Sequence, residues 1–278
     1  MIEIRQMTKD DLGLGVRLTQ EAGWNHLESD WLRFFNLGSE GSFVAEFEGR
    51  AVGTTMTFIS NQVAWVAMVL VEKASRGKGI GTALLKHTLN YLEMCKIETI
   101  RLDATHLGQP LYEKLGFLPE YEVARFKGFA PKSKVKPSVT TATTEMFTDI
   151  VEFDKRMAGT HRAKMLKALF REFSENLRVV MKNGVIEGFV TLHPGRIAIQ
   201  IGPCTATRDA GPALLSDAFE RCAGKAVFVD VPTDNVYAVQ FVKANGLEIH
   251  RRFLRMYRGE RIKDDINAIW ASSGPEKG

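Results

Sequence analysis

A mixed α/β chain made of two similar halves is the fold class that the sequence predicts, and three observations carry it. At 278 residues the chain exceeds one ordinary compact domain and suits two. Hydrophobic residues make up 45% and charged residues 25%, which allows substantial cores and is too apolar for disorder. Runs of period two and of helical period also recur in the same order on either side of a polar stretch.

In the first half, residues 2–6 alternate like an edge strand, and Thr8 with Asp10 and Asp11 opens an amphipathic helix through Ala22 that turns Leu12, Val16 and Leu18 inward. Asp30–Leu37 reads as a second short helix. Three strands follow, Ser42–Glu48, Arg50–Ser60 and Asn61–Val71, with turns at Glu48-Gly49 and Ser60-Asn61. Ile80–Cys95 is a helix, Glu98–Ala104 a strand, Gly108–Leu115 a helix and Phe117–Phe126 a strand. Ala130–Thr144, with two prolines and many Ser and Thr, reads as a linker between a domain over 1–129 and a second over 145–278. In the second half Asp154–Phe173 is expected as one helix, Leu177–Met181 and Gly184–His193 as paired strands, and Arg196–Gly202 as a third. Helix Ala213–Cys222, strand Ala226–Val231, helix Val236–Asn245 and strand Glu248–Tyr257 complete it.

Composition excludes several functions. The net charge is +4, far short of the clustered cationic surface of a nucleic-acid binder. The longest apolar run, Val63–Val71, is about half of the ~20 residues of a membrane helix. The opening residues are not a signal peptide, and Cys95, Cys204 and Cys222 have neither disulfide-scaffold nor metal-site spacing. A cytoplasmic protein without metal, membrane or nucleic-acid partners is expected, as monomer or homodimer.

The chemistry concentrates at Arg76-Gly77-Lys78-Gly79-Ile80-Gly81, which joins a strand ending at Val71 to a helix. Glycines let the backbone turn sharply and bring its N–H groups close to a ligand. Unpaired N–H groups and the helix dipole then make a cradle for pyrophosphate. The alternate spacing of Gly77, Gly79 and Gly81 fits neither the dinucleotide fingerprint nor the Walker loop.

This Arg-x-x-Gly-x-Gly pattern resembles the acetyl-CoA loop of the GNAT acetyltransferase superfamily. Downstream, Leu111-Tyr112-Glu113-Lys114-Leu115-Gly116-Phe117 resembles the family's second motif, and the resemblance spans residues 2–128. With the internal repeat, it implies two tandem GNAT folds, each a mixed, mostly antiparallel central sheet flanked by helices. It also implies acetyl-CoA as cofactor, held by Arg76–Gly81 and Thr82, with Val69, Leu70 and Val71 splayed to pair with pantetheine and to polarise the thioester. Tyr112 is implied as the acid that protonates the departing thiolate. The family often has Asn where Thr105 stands, and the Thr105 hydroxyl takes its place. For the acceptor amine, Asp103, Glu72 and His106 are candidate bases, while Trp24, Asn25 and His26 lie in the loop that would cover the acceptor. Each has an ordinary structural alternative.

Across the key segment the second half aligns without gaps at an offset of 130, placing Ala213-Leu214-Leu215 on Ala83-Leu84-Leu85 and Gly246 on Gly116. At that offset Ala206–Gly211 replaces the cradle, Asp209 is repulsive to phosphate, and Val242 replaces Tyr112. A degenerate copy is expected, with Asp154, Arg162, Asp230 and Asn235 as candidates for a retained ligand site. The expected activity is acetyl transfer to a small-molecule amine. An acyl-CoA sensor and a protein lysine or N-terminal acetyltransferase are the alternatives.

Overall fold

A computed structural model of the chain describes residues 1–132 and 138–274; Ser133–Pro137 of the expected linker and residues 275–278 lie outside them. The first half runs β1 (Ile2–Gln6), α1 (Leu12–Glu21), α2 (Glu28–Gly38), β2 (Phe43–Phe47), β3 (Arg50–Ser60), β4 (Val63–Val71), α3 (Ile80–Met94), β5 (Thr99–Ala104), α4 (Gln109–Lys114) and β6 (Leu118–Phe129). The second runs β7 (Thr140–Thr141), α5 (Phe147–Ala158), α6 (Ala163–Glu172), β8 (Arg178–Lys182), β9 (Val185–His193), β10 (Ile199–Ala206), α7 (Ala210–Arg221), β11 (Ala226–Pro232), α8 (Val236–Ala244), β12 (Glu248–Gly259) and β13 (Ile269–Ala271). Glu48-Gly49 and Asn183-Gly184 turn their hairpins with both residues at positive φ, the geometry that matches the twist of the flanking strands.

Two expectations are corrected. The single helix over Asp154–Phe173 is two helices, α5 and α6, because Gly159 ends the first at φ 65°. A Cβ there would lie 2.8 Å from both Ile262 Cγ2 and the Lys263 carbonyl, so the turn that ends the helix requires glycine. The strand expected at Arg196–Gly202 begins later, at Ile199, because the preceding residues bind the Trp24-Asn25 segment of the first half. The short β13, with no periodicity to announce it, was not expected.

All strands join one 13-stranded sheet in the order β1-β2-β3-β4-β5-β12-β6-β11-β10-β9-β8-β7, with β13 on β10. Among the described residues only β4·β5 and β10·β11 pair in parallel. The halves exchange their last strands: β12 lies against β5 of the first half, and β6 lies against β11 of the second. β6 and β12 also pair with each other, with Val123 opposite Phe253, residues related by the offset of 130. Because the two strands are copies, each fills the place that the other leaves, and the sheet has no open edge at the join.

Two ion pairs flank the exchange, and their arginines, though not their aspartates, are related by the offset of 130. Arg255 of β12 grips Asp103 of β5 through Nε at 2.8 Å and Nη2 at 2.9 Å. Arg125 of β6, the equivalent residue, grips Asp230 of β11 through two bonds of 2.7 Å. A bidentate fork fixes register as well as charge.

The core follows the exchange. Trp31 and Phe34 of α2 share one apolar cluster with Phe153 of α5 and Met165, Leu166 and Leu169 of α6. On the opposite face α3 and α4 pack with Met256 of β12 beneath them, and α7 and α8 build a separate cluster.

Candidate active site

β4 stays beside β5 only over Val63–Trp65, opposite Thr99–Arg101, and beyond Trp65 the two strands part. The register of β3 against β4 slips between Thr54 and Met56, and Met68 is held at φ 51°. A non-glycine residue in this region is strained unless its surroundings impose the geometry. Here Thr54 does so, donating its hydroxyl to the Met68 carbonyl at 2.9 Å. Such a bulge bends the strand and re-aims its side chains and backbone.

The opening beside it is a cleft. Val66–Val69 form one wall, and Asp103, Thr105 and Tyr112 come from β5 and α4. Trp24 and His26 come from the α1–α2 loop, and Arg125, Arg251 and Phe253 from the exchanged strands. The last three, and Arg255 behind Asp103, were missed from sequence. The offset that relates Arg125 to Arg255 was readable, but the strand exchange that brings these residues here was not.

At the end of β4, Gly77 and Gly79 adopt φ 78° and 83°, and a Cβ on either would meet nothing within 4 Å. Their freedom serves the turn into α3. Gly81 is different: no positive φ is needed, and a Cβ would make ordinary contacts at 3.5 Å to Leu111 Cδ2 and 3.8 Å to Val71 Cγ2. The Arg76 side chain donates from Nε to the Val71 carbonyl at 3.0 Å, and Lys78 Nζ rests 4.8 Å from the Phe47 ring centroid. Leu70 and Ile80 bury their side chains, so only their backbone can face a ligand. Thr82 is half-buried in the first turn of α3, whose leading N–H groups have no partner within the helix.

Tyr112 lines the cleft with its ring edge-on to Phe117 at 5.8 Å. Burial pushes its phenol pKa up, so the hydroxyl stays protonated. The ring lies directly over Gly108, where a Cβ would come within 2.9 Å of Cε2. Thr105 also lines the cleft, and its hydroxyl accepts from the Gly108 N–H at 3.3 Å.

The candidate bases fare differently. Both oxygens of Asp103 are bound by Arg255, so it lines the cleft as half of an ion pair. Glu72 accepts from Arg17 at 2.6 Å, which holds its carboxyl below the usual range. His106 is exposed in the β5–α4 loop and does not line the cleft. Asn25, expected to grip a substrate, is corrected. Its amide donates to the Ala198 carbonyl at 2.9 Å and accepts from the N–H groups of Ile197 and Ala198 at 2.8 and 3.0 Å. It clamps the second half onto the first. Its neighbours Trp24 and His26, 5.5 Å apart between ring centroids, do face the cleft.

Among the described residues the second half does not repeat the loop that leads into this opening. α7 begins at the offset of 130 from α3, but Glu72–Gly79 join β4 to α3 whereas only Thr207–Asp209 join β10 to α7. The gapless alignment through the cradle is therefore corrected: the loop is shortened, and not merely substituted. β13 pairs along β10, and Trp270 lies so close to Gly211 that a Cβ would sit 1.9 Å from Cε2. Val242 is buried in the core. The four polar candidates are engaged internally, Asp154 by Arg162 and Thr205, Asp230 by Arg125 and Gln200, and Asn235 by the Asn267 and Ile269 carbonyls. Among the described residues no His, Cys, Asp and Glu cluster could hold a metal, and no helix is long and apolar enough to cross a membrane.

The acetyltransferase (GNAT) family matches residues 6–117, and an acetyltransferase (GNAT) domain matches residues 150–271. The chain is a tandem GNAT N-acetyltransferase. This tandem GNAT is 26% identical to the holothin acyltransferase of Pseudoalteromonas sp. (strain SANK 73390), over 97% of the chain and 87% of that relative. A Pyrococcus horikoshii protein assigned to the acetyltransferases superposes with a TM-score of 0.85 at 25% identity, over 100% of this tandem GNAT and 96% of that chain. A tandem GNAT protein from the clavulanic acid biosynthesis pathway shares the fold, with a TM-score of 0.65 at 15% identity over 95% of this chain and 100% of its own.

Proposed function

We propose that this enzyme transfers an acetyl group from acetyl-CoA to a primary amine of a small molecule, within the first half, by direct attack in a ternary complex. One observation carries the reading: the Met68 bulge, the proton-bearing Tyr112 and the Trp24–His26 loop face a single cleft. The cofactor's pyrophosphate fits the N-terminus of α3 through the backbone of Arg76–Gly81 and Thr82, where open space around Gly77 and Gly79 leaves room for close approach. Its pantetheine arm fits Val69–Val71, where β4 has left β5. Acetyl-CoA supplies the activated thioester.

The amine attacks the carbonyl carbon, whose oxygen is stabilised by N–H groups at the bulge. The C–S bond then breaks, and the thiolate takes the proton of Tyr112. Burial raises the phenol, so Tyr112 holds its proton until a thiolate forms beside it. In this reading His26, which lines the cleft from the acceptor loop, accepts the amine's proton. Direct attack is supported by the cysteines: Cys95 is exposed, Cys204 and Cys222 are buried, and none lines the cleft. A small acceptor is supported by the second half, whose 195–198 segment closes over Trp24 and Asn25 where an extended peptide would need a groove.

An acceptor is found first by thermal shift of the CoA-loaded protein over a panel of amines. With it, Tyr112→Phe should keep CoA affinity and lose turnover by ~10²–10⁴, read as thiol release. A variant that turns over at the parent rate removes Tyr112 from the mechanism.

A further inference from the structure

Charge in the cleft is unevenly satisfied. Asp103 is neutralised by Arg255, and Arg125 by Asp230, so these two pairs cancel. Arg251 is different. It lines the same cleft from β12, it is half-buried, and among the described residues no hydrogen bond or ion pair reaches its guanidinium. Apolar Phe253 lies two residues along the strand, and Arg125 is close enough to repel it: burial and that charge both push the Arg251 guanidinium downward. A cation partly removed from water and without a counter-ion is costly to keep. The cost is recovered when an anion arrives.

We propose that Arg251 is the residue that recognises the acceptor, by binding a carboxylate carried on the same molecule as the reactive amine; the acceptors are amino-acid-like. The inference rests on the acetyl-transfer reading and gives the second half a task in it. β12 belongs to the second half, and the strand exchange delivers Arg251 and Phe253 to the cleft of the first. The phosphates of acetyl-CoA are not the counter-ion in this arrangement. They belong to the N-terminus of α3 beside β4, whereas Arg251 stands on β12, across β5 from that strand. Arg251 is a binding residue and takes no part in proton transfer.

The test uses the full chain saturated with CoA and two product-like probes, N-acetylalanine and N-acetylalaninamide, titrated by calorimetry. They differ only in whether the carboxylate is present. The acid should bind at least ~10-fold more tightly, the yield of a charge-assisted contact in a partly desolvated site. Arg251→Gln should bring the ratio near one, Arg251→Lys should keep part of it, and CoA affinity should be the same in all three proteins. Equal binding of acid and amide to the parent overturns the proposal, as does a preference that survives Arg251→Gln, or CoA binding with neither probe bound. If CoA itself does not bind the parent, the acetyl-transfer reading falls and this proposal falls with it.

Discussion

Replacing Arg255 with Met tests the strand exchange where its energetics are largest. The guanidinium and the Asp103 carboxylate have side chains only 2% and 0% exposed, and they share two hydrogen bonds. Arg255 Nη1 also donates to the Tyr121 hydroxyl at 2.8 Å, and that hydroxyl donates to Asp264 at 2.8 Å. Arg255→Met keeps the bulk and removes the charge, leaving Asp103 buried without its counter-ion. Breaking a buried pair on one side costs ~3–5 kcal/mol. Against a typical total of roughly 5–15 kcal/mol that is a large fraction. At about 2–4 °C per kcal/mol for a chain near this size, the melting temperature should fall by roughly 6–20 °C. Asp103→Leu combined with Arg255→Met replaces both partners by apolar groups and should regain much of the loss. The assay is reversible urea unfolding of parent, both singles and the double, read as a double-mutant cycle. A single Arg255→Met variant within ~1 kcal/mol of the parent, or a cycle with no coupling, refutes the view that this pair locks β12 against β5.

Gly79→Glu adds a side chain at φ 83° into open space, so the fold should survive at a cost of ~1–2 kcal/mol while CoA binding is lost; calorimetry with retained CoA affinity would move the phosphate site elsewhere. Gly81→Ala, which makes only ordinary contacts, should leave the fold intact, checked by its melting temperature. Gly108→Ala drives a methyl to within 2.9 Å of the Tyr112 ring, so thiol release should slow at unchanged CoA affinity; an unaffected rate would mean that the ring position is not critical. Burial raises the phenols of Tyr112 and Tyr121, and that of Tyr91 to about 12. Above pH ~10 the unfolded chain therefore binds fewer protons than the folded one, and stability falls as pH rises. An alkaline absorbance titration should show fewer than the five phenols ionising until the protein unfolds.

The repeat, the element order and both motifs were legible because each is local. Alternation marks a strand, positive-φ glycines mark a turn, and the offset of 130 marks a copy. The same locality explains what could not be read. Periodicity tells which face of a strand is apolar and says nothing of its neighbour, and β6 and β12 carry equivalent patterns, so either fits beside β5. Tertiary packing decided the exchange, and with it the fate of the site. Asp103 reads as a free carboxylate until Arg255 arrives from 152 residues away. Asn25 looks like a substrate group until the second half takes all of its hydrogen bonds. Arg251 looks like an ordinary strand cation until the fold carries it into the cleft without a partner. The sequence by itself determined that the chain has two GNAT halves and that only the first keeps the glycine loop and the tyrosine. Which charges face one another across those halves was decided by the tertiary structure, because burial and pairing are properties of neighbours that the chain brings together only when it folds.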